Sequence, residues 1–359
     1  MRDKELEKLR QKLITVDEKI VSLINERAKI ACKIGEAKKN MGKEIYDPVQ
    51  EAKVYERLTN FNQGPLKAET LRTIFREIIS ASRSLQTNTW IAFLGPDGSF
   101  SHLAALHHFG NSIECMPVDT VGEVFTAVEK GQAHWGVVPL ENSVEGPVKP
   151  TLDHLITTPL TIRAETFIRI SHSLFSQHGE LQKIKRIYSH PQALAQCQQW
   201  LKRNLPFAEW HEVKSTAEAA GIAQNDSEAG AVCSTLAAEL RGLKTVAKGI
   251  EDHPLNTTRF LVIGYGMNEP SGKDKTSLLF GTPHIPGSLY RALEPFARMG
   301  INLTRIASYP IRDRLWEYLF FVDFLGHHAI EPIKTCLEEA KERTSFIKNL
   351  GSYPVGEEA

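Results

Sequence analysis

The sequence predicts a multidomain chain of α and α/β parts: an all-helical N-terminal segment, an α/β body, and a C-terminal βαββαβ module. Three observations predict this. Apolar residues recur at three- and four-residue spacing from the start of the chain to about residue 39. Short apolar runs alternate with helical stretches over 90–265. Strand and helix patterns then follow in the order βαββαβ over 275–359.

The first segment reads as three helices. Leu6, Leu9, Leu13, Val16, Ile20 and Leu23 lie on one stripe, continued by Ile30 and Ile34, so residues 4–39 form one helix. A second covers about 48–60 and a third about 67–86, the latter with Leu71, Ile74, Phe75, Ile78 and Ile79 on one side; Gly64-Pro65 separates them. A helix of ~50 Å cannot bury its stripe in a compact monomer, so pairing with a second copy is expected. Written as heptads from Leu6, the a positions are Leu6, Leu13, Ile20, Arg27 and Ile34, and the d positions Leu9, Val16, Leu23, Ile30 and Ala37. Arg27 therefore falls on an apolar seam. A buried guanidinium needs an anion. Lys38 lies eleven residues on, within ~20° of the same face, with Ala31, Ile34 and Gly35 between. On the third helix Ser82 and Gln86 extend the apolar stripe as polar groups. The structural alternative is a solvated helix end with an internal salt bridge.

The body carries strand-like runs at Trp90-Ile-Ala-Phe-Leu, Trp135-Gly-Val-Val-Pro, Ile187-Tyr, Ala229-Gly-Ala-Val-Cys and Phe260-Leu-Val-Ile. Alternation with helices predicts a mostly parallel sheet. Several runs end in small polar residues expected to start helices: Gly98-Ser-Phe-Ser, Glu141-Asn-Ser, Ser189-His-Pro-Gln, Ser215-Thr and Ser234-Thr. Helix N-termini present free N–H groups, so such a set suits an anionic or polyol ligand, or else plain N-capping. Near the end of the body, Asn256-Thr-Thr-Arg-Phe260 puts two hydroxyls and a guanidinium at the mouth of a strand. The tail has strands near 276–280, 302–308, 316–324 and 345–353, with helices at 287–299 and 330–343, a ferredoxin-like split unit. Ser84–Asn88 and the polar stretch 266–275 read as linkers.

Composition narrows the function. Lys+Arg and Asp+Glu number 43 each in 359 residues, so no overall basic field favours nucleic acid. Residues 1–86 hold 18 Lys+Arg against 13 Asp+Glu, leaving 25 against 30 for the rest, which suits a small anion site near the N-terminus. The five cysteines are scattered and never in C-x-x-C spacing, which argues against a disulfide framework or structural zinc. His102, His190, His211 and His253 show no metal-ligand spacing, so no metal and no cofactor are expected. No run approaches a membrane span, and the charged start Met-Arg-Asp-Lys-Glu lacks a signal-peptide core, so a cytoplasmic location is the expectation.

Leu9-Arg10, Asp17, Asn25-Glu-Arg27, Ile34-Gly-Glu-Ala-Lys38, Tyr46-Asp-Pro48, Glu51 and Ser82…Gln86 together resemble the all-helical chorismate mutase family over residues 4–86. The resemblance implies an intertwined helical dimer. Arg27, and Arg10 from the partner copy, would hold the two chorismate carboxylates. Lys38 and Gln86 would hydrogen-bond the ether oxygen. Glu51 and the backbone near Asp47 would take the ring hydroxyl, and Ser82 would support a carboxylate. Such a rearrangement needs a held conformer and fixed cations, and no nucleophile or cofactor. Where that family usually has Arg before the Glu, this chain has Gln50, one positive charge fewer.

Residues 90–266 are similar to the prephenate dehydratase family. The matching pieces are Ala92-Phe-Leu-Gly-Pro-Asp-Gly-Ser-Phe-Ser-His102, Val138-Pro-Leu-Glu-Asn142, Tyr188-Ser-His-Pro-Gln192, Gln196-Cys197, Ser215-Thr-Ala and Thr257-Thr-Arg-Phe260. This implies two α/β lobes, about 90–165 with a return strand 258–264, and about 166–250, around a prephenate cleft. Thr258 is the implied proton donor or relay. Arg259 would sit near a carboxylate or steady the loop. Glu141, Asn142, Ser189, Gln196 and Thr257 would position the substrate. The tail resembles an ACT domain, an amino-acid-binding module with phenylalanine as the expected effector at Gly287, Ser288, Leu289, Ser308 and Pro310. Relatives carry Gly-Ala-Leu-Val and Glu-Ser-Arg-Pro there; this chain has Gly287-Ser-Leu-Tyr290 and Ala307-Ser-Tyr-Pro310.

The expectation is a bifunctional enzyme, homodimeric or larger, with a mutase domain at 1–88, a two-lobed dehydratase domain at 90–266 and an ACT domain at 275–359. The alternatives are a dehydratase with a weakened or structural mutase domain, and a non-catalytic amino-acid-binding regulator.

Overall fold

A computed structural model describes residues 2–253, 255–310 and 318–356. The chain forms two compact units. One holds the N-terminal helices, without Pro48–Ala52, together with Phe109–Glu114; the other holds Pro48–Ala52, Trp90–His108 and the described residues from Cys115 onward.

The N-terminal helices are α1 (Arg2–Asn40), α2 (Pro48–Phe61), whose first residues belong to the other unit, and α3 (Ala68–Ser84). At 39 residues α1 is ~58 Å long. Pro48 opens α2, where its missing N–H costs nothing. The seam of α1 is bare in the single chain: Leu13 is 61% and Leu23 63% exposed, and Ile20, Ile30 and Ile34 are exposed too.

The second unit begins with β1 (Trp90–Leu94), β2 (Glu114–Val118), β3 (Trp135–Asn142), the short β4 (Gly146–Pro147) and β5 (Thr161–Arg169), interleaved with α4 (Phe100–Phe109), α5 (Val121–Glu129) and α6 (Lys149–Thr157). A second group follows: β6 (Ser173–Ser176), β7 (Arg186–Ser189), β8 (Glu209–Glu212), β9 (Ala229–Cys233) and β10 (Lys244–Ala247), with α7 (Pro191–Gln196), α8 (Gln198–Asn204), α9 (Thr216–Asn225) and α10 (Thr235–Leu240). Then β11 (Thr257–Gly264) returns to the first sheet, whose order is β2-β1-β3-β11-β5; the second sheet runs β10-β6-β9-β7-β8.

The expectation of a mostly parallel sheet is corrected here. Both sheets are mixed. β1 pairs parallel with β3, and β7 with β8 and β9, but β11 is antiparallel to β3 and β5, and β6 to β9 and β10. The antiparallel pairs come where the chain leaves the first lobe and returns, a route that needs no helical crossover. The expected helix starts are also revised at one point. His190, Ser215 and Ser234 do N-cap α7, α9 and α10, but Glu141-Asn-Ser enters a turn, not a helix.

The last region comprises β12 (Asp274–Gly281), α11 (Ser288–Arg298), β13 (Leu303–Pro310), β14 (Tyr318–Leu325), α12 (Ile333–Glu342) and β15 (Phe346–Pro354). Positions 316 and 317 of the expected third strand lie outside the described residues. All pairs are antiparallel, in the order β13-β14-β12-β15. This sheet is covered on both faces. Leu278, Phe280, Val322 and Phe324 pack with Ala292, Phe296 and Cys336 of its own helices. Leu279, Phe321, Leu350 and Tyr353 join Leu140, Leu155, Ile162 and Leu261 of the first lobe in one core. Successive residues of β12 thus serve opposite faces, as strand pleating requires.

Candidate active sites

In the helical unit α1 and the end of α3 bring Arg27, Ser82 and Gln86 together, and Lys38 holds the segment that follows α1. Arg27 is half-buried, and its Nη1 donates to Ser82 Oγ at 3.1 Å; Ser82 in turn donates to Ile78 O at 2.7 Å. Gln86 Nε2 donates to Ser82 O at 2.8 Å. Lys38 Nζ donates to Ile45 O at 3.0 Å and lies 3.8 Å from Asp47 Oδ2. Arg27 and Gln86 thus meet at Ser82, and Lys38 follows Gly35 by three residues on α1. Gly35 makes the room: a Cβ there would fall 2.1 Å from Gln86 Oε1. Glycine inside a helix is unfavourable by about 1 kcal/mol against alanine, and the Gln86 amide is its physical reason. Arg10 is not part of this group. It pairs with Glu7 at 3.7 Å, seventeen residues or ~26 Å along α1 from Arg27. Glu51 lies in the first turn of α2.

The second cluster lies where β3 and β11 end. Thr258 and Asn142 are register partners. Asn142 Oδ1 accepts from Val144 N (2.9 Å) and Glu145 N (3.1 Å), which fixes its amide orientation. Its Nδ2 then donates to Thr258 Oγ1 at 2.8 Å and to Asn256 Oδ1 at 2.6 Å. Thr258 therefore receives a hydrogen bond and keeps its own proton for another acceptor. Asn256 Nδ2 donates to Gln196 Oε1 at 3.2 Å, an oxygen that also meets His172 Nε2 at 3.0 Å; Gln196 Nε2 donates to Glu145 Oε1 at 3.2 Å. His172 stands edge-on to Phe100, 5.5 Å between centroids, and burial holds its pKa below the ordinary 6.5, so it is a neutral Nε2–H donor.

Other expected dehydratase residues are placed elsewhere. Ser189 is fully buried and donates to Val232 O at 2.6 Å inside the second sheet. Thr257 is half-buried, its backbone N donating to Ser143 Oγ at 3.0 Å. Glu141 and Arg259 point away from the cluster, toward the C-terminal sheet: Glu141 Oε2 is 2.8 Å from Arg305 Nε, and Arg259 Nη1 is 2.5 Å from Asp323 Oδ2. Sequence reasoning missed Asn256, Glu145 and His172 as members of the cluster. Asn256 had a signal, since it abuts the Thr-Thr-Arg-Phe stretch; Glu145 and His172 had none.

A wider groove of about 1200 Å³ runs between the lobes, lined by Gly95, Asp97 and Asp119 on one side and Lys214, Ser215 and Arg241 on the other. It contains none of the Thr258 cluster. The lobes touch closely at Gly98, where φ is +84° and a Cβ would sit 2.8 Å from Ala237 Cα; Ser234 Oγ donates to Gly98 O at 2.8 Å.

In the C-terminal module a cavity of about 440 Å³ is lined by Thr282–Tyr290, Tyr318 and Phe320. Gly287, Ser288 and Leu289 lie on it. Gly287 N-caps α11 with φ +77°, and Ser288 Oγ donates to Ile285 O at 2.7 Å. Ser308 and Pro310 stand opposite Phe320 and Tyr318 in the sheet. Tyr309 is buried and donates to Asp153 Oδ1 at 2.7 Å. Among the described residues no helix is long and apolar enough to cross a membrane.

Three family patterns match the chain: chorismate mutase type II over residues 9–87, prephenate dehydratase over 91–268 and the ACT domain over 276–342. A bifunctional chorismate mutase/prephenate dehydratase from Aquifex aeolicus is 45% identical over 98% of both chains. The crystal structure of prephenate dehydratase from Arthrobacter aurescens in complex with L-Phe is 35% identical, with TM-score 0.68, over 74% of this chain and 90% of that one. A structure described as GqqA, a novel type of quorum quenching acylase, matches with TM-score 0.68 and 32% identity over 74% of this chain and 97% of that one. With a helical mutase region, two mixed α/β sheets and an ACT sheet in this order along one chain, it belongs to the bifunctional chorismate mutase/prephenate dehydratase family.

Proposed function

We propose that the chain converts chorismate to prephenate in its helical unit and prephenate to phenylpyruvate at the Thr258 cluster. We assign the mutase to residues 1–88, the dehydratase to 90–266 and the ACT domain to 275–359. The chain works as a homodimer in the cytoplasm, with phenylalanine acting at the cavity around Gly287–Leu289 and at Ser308 and Pro310.

In the mutase step Arg27 and the second copy's Arg10 grip the two carboxylates and enforce the compact conformer. Lys38 and Gln86 face the ether oxygen, where negative charge grows as the C–O bond breaks. Ser82 holds Arg27 in place, and Glu51 with the backbone near Asp47 takes the ring hydroxyl. Pairing of two copies covers the bare α1 seam and brings Arg10 to a site that it cannot reach within its own chain.

In the dehydratase step the ring hydroxyl leaves with a proton, the ring carboxylate leaves as carbon dioxide, and its electron pair makes the ring aromatic. Thr258 supplies or relays that proton. Asn142, Asn256 and Gln196 hold Thr258 and the substrate in register. The observation that carries this reading is the Asn142–Thr258 hydrogen bond, which leaves the threonine proton available.

The test is direct: purified protein is given chorismate, and chorismate, prephenate and phenylpyruvate are followed together, with and without phenylalanine. Chorismate consumption with phenylpyruvate formation supports both steps. Conversion of added prephenate alone leaves a dehydratase with a structural N-terminal domain. Turnover of neither refutes the reading and leaves a non-catalytic amino-acid-binding regulator.

A further inference from the structure

The strands that carry Asn142 and Thr258 have a second face, and it is charged. Glu141 and Arg259 are register partners, each one residue from the cluster and turned away from it by strand alternation. Arg259 hydrogen-bonds through both terminal nitrogens, Nη1 2.5 Å from Asp323 Oδ2 and Nη2 2.9 Å from the Tyr353 hydroxyl, and its Nε lies 2.8 Å from Glu165 Oε2 as an ion pair without hydrogen-bond geometry. Glu165 also holds Lys275 Nζ at 2.6 Å, and Ser277 Oγ donates to Asp323 at 2.5 Å. Arg305 meets Glu141 and lies over the Phe321 ring, 4.7 Å from its centroid. Three cations thus face three anions. Asp323 is fully buried and Arg259 nearly so. Burial alone would lower the Arg259 pKa, but Tyr353, Asp323 and Glu165 outweigh it and raise it. The guanidinium is charged, enclosed and committed.

The pairing of β11 with β3 slips in register between Arg259 and Phe260. On its other edge β11 keeps an unbroken register with β5 through this point, so the irregularity bends only the pairing with β3, the strand that carries Asn142, and such irregularities re-aim the side chains beside them. The anchor here is Arg259.

We infer that Arg259 is a positioning residue for the dehydratase reaction, acting through Thr258 and held by the C-terminal sheet through Asp323 and Tyr353. This rests on the dehydratase reading proposed above. Arg259 does not bind the substrate carboxylate; it sets where the Thr258 hydroxyl stands.

The test uses the full-length chain and prephenate. Wild type is the reference, and absence of prephenate turnover by wild type would remove the dehydratase reading together with this inference. Given active wild type, Arg259→Gln should lower kcat at least ~10-fold while KM stays within about twofold, since small misplacement of a reacting group is costly in rate. Asp323→Asn should lower kcat in the same direction, and the double variant should be no slower than Arg259→Gln alone. A raised KM with kcat spared in Arg259→Gln would overturn the inference, as would losses that multiply in the double variant. If Arg259→Gln does not fold, Tyr353→Phe decides, because it removes only the hydroxyl. Lower kcat at unchanged KM and unchanged melting supports the inference, and unchanged kcat overturns it.

Discussion

Gly35→Ala should move stability and activity in opposite directions. Gly35 is buried in the helical interior of α1, and its φ is not in the left-handed region. Alanine there gains up to about 1 kcal/mol of helix propensity. The added Cβ would stand 2.1 Å from Gln86 Oε1 and 2.8 Å from its Cδ, so the amide must swing away. That motion is cheap in stability, because the clash is with the end of a flexible side chain. It is expensive in catalysis, because Gln86 is a proposed donor to the ether oxygen. Loss of one such donor costs about 10²–10³ in kcat, or about 2.7–4 kcal/mol. The assay pairs chorismate consumption, followed by ultraviolet absorbance, with thermal unfolding of the same sample. Mutase turnover should fall at least ~100-fold, the melting temperature should hold or rise, and prephenate turnover should not change. Full mutase activity in Gly35→Ala would refute the placement of the Gln86 amide at the reacting oxygen.

Lys38→Ala should abolish mutase turnover and spare dehydratase turnover, and Thr258→Ala should do the reverse, with a loss of about 10²–10⁴ for a missing acid; coupled-free assays with chorismate and with prephenate separate the two. If either change removed both activities from folded protein, two independent sites would be untenable. His172 and His102 are both held below their ordinary pKa of 6.5 by burial. Their neutral forms therefore contribute stability that is complete above pH ~6.5 and is lost as pH falls from there through the lower folded values. Denaturant titrations of the full chain between pH 7.5 and 5 should show falling stability, and His172→Gln should flatten the slope; a pH-independent midpoint would contradict the burial argument.

Much of the frame was legible in the sequence because periodicity reports burial. The stripe from Leu6 to Ile34 announced α1, and the runs at Trp90, Trp135 and Phe260 announced β1, β3 and β11. Arg27, Ser82 and Gln86 were legible because polar groups on an apolar stripe must find partners. Thr258 and Asn142 were legible only through their motifs. Facing was not legible. Strand alternation says that Thr258 and Arg259 point opposite ways, but not which side holds the cleft. That depends on a sheet that begins at Asp274, where a buried carboxylate on β14 claims the arginine. The setting of Ser189 was hidden for a similar reason: a serine ending a strand serves equally as a ligand or as a donor to the neighbouring strand, and in this chain its hydroxyl donates to Val232 O. The mixed sheets were hidden because the chain's departure and return leave no mark in local hydrophobicity.

The ~26 Å between Arg10 and Arg27 has a consequence for ensembles of molecules. If a mutase pocket borrows Arg10 from the second copy, one pocket mixes two genotypes. A chain lacking Arg10 and a chain lacking Arg27 would each be dead alone. Refolded together, half of the dimers formed at random would be mixed, and one pocket of each would draw both arginines intact. The mixture would recover about a quarter of the activity from two inactive parents. Dilution would then silence the mutase by mass action while leaving the dehydratase, whose cluster lies within one chain, untouched.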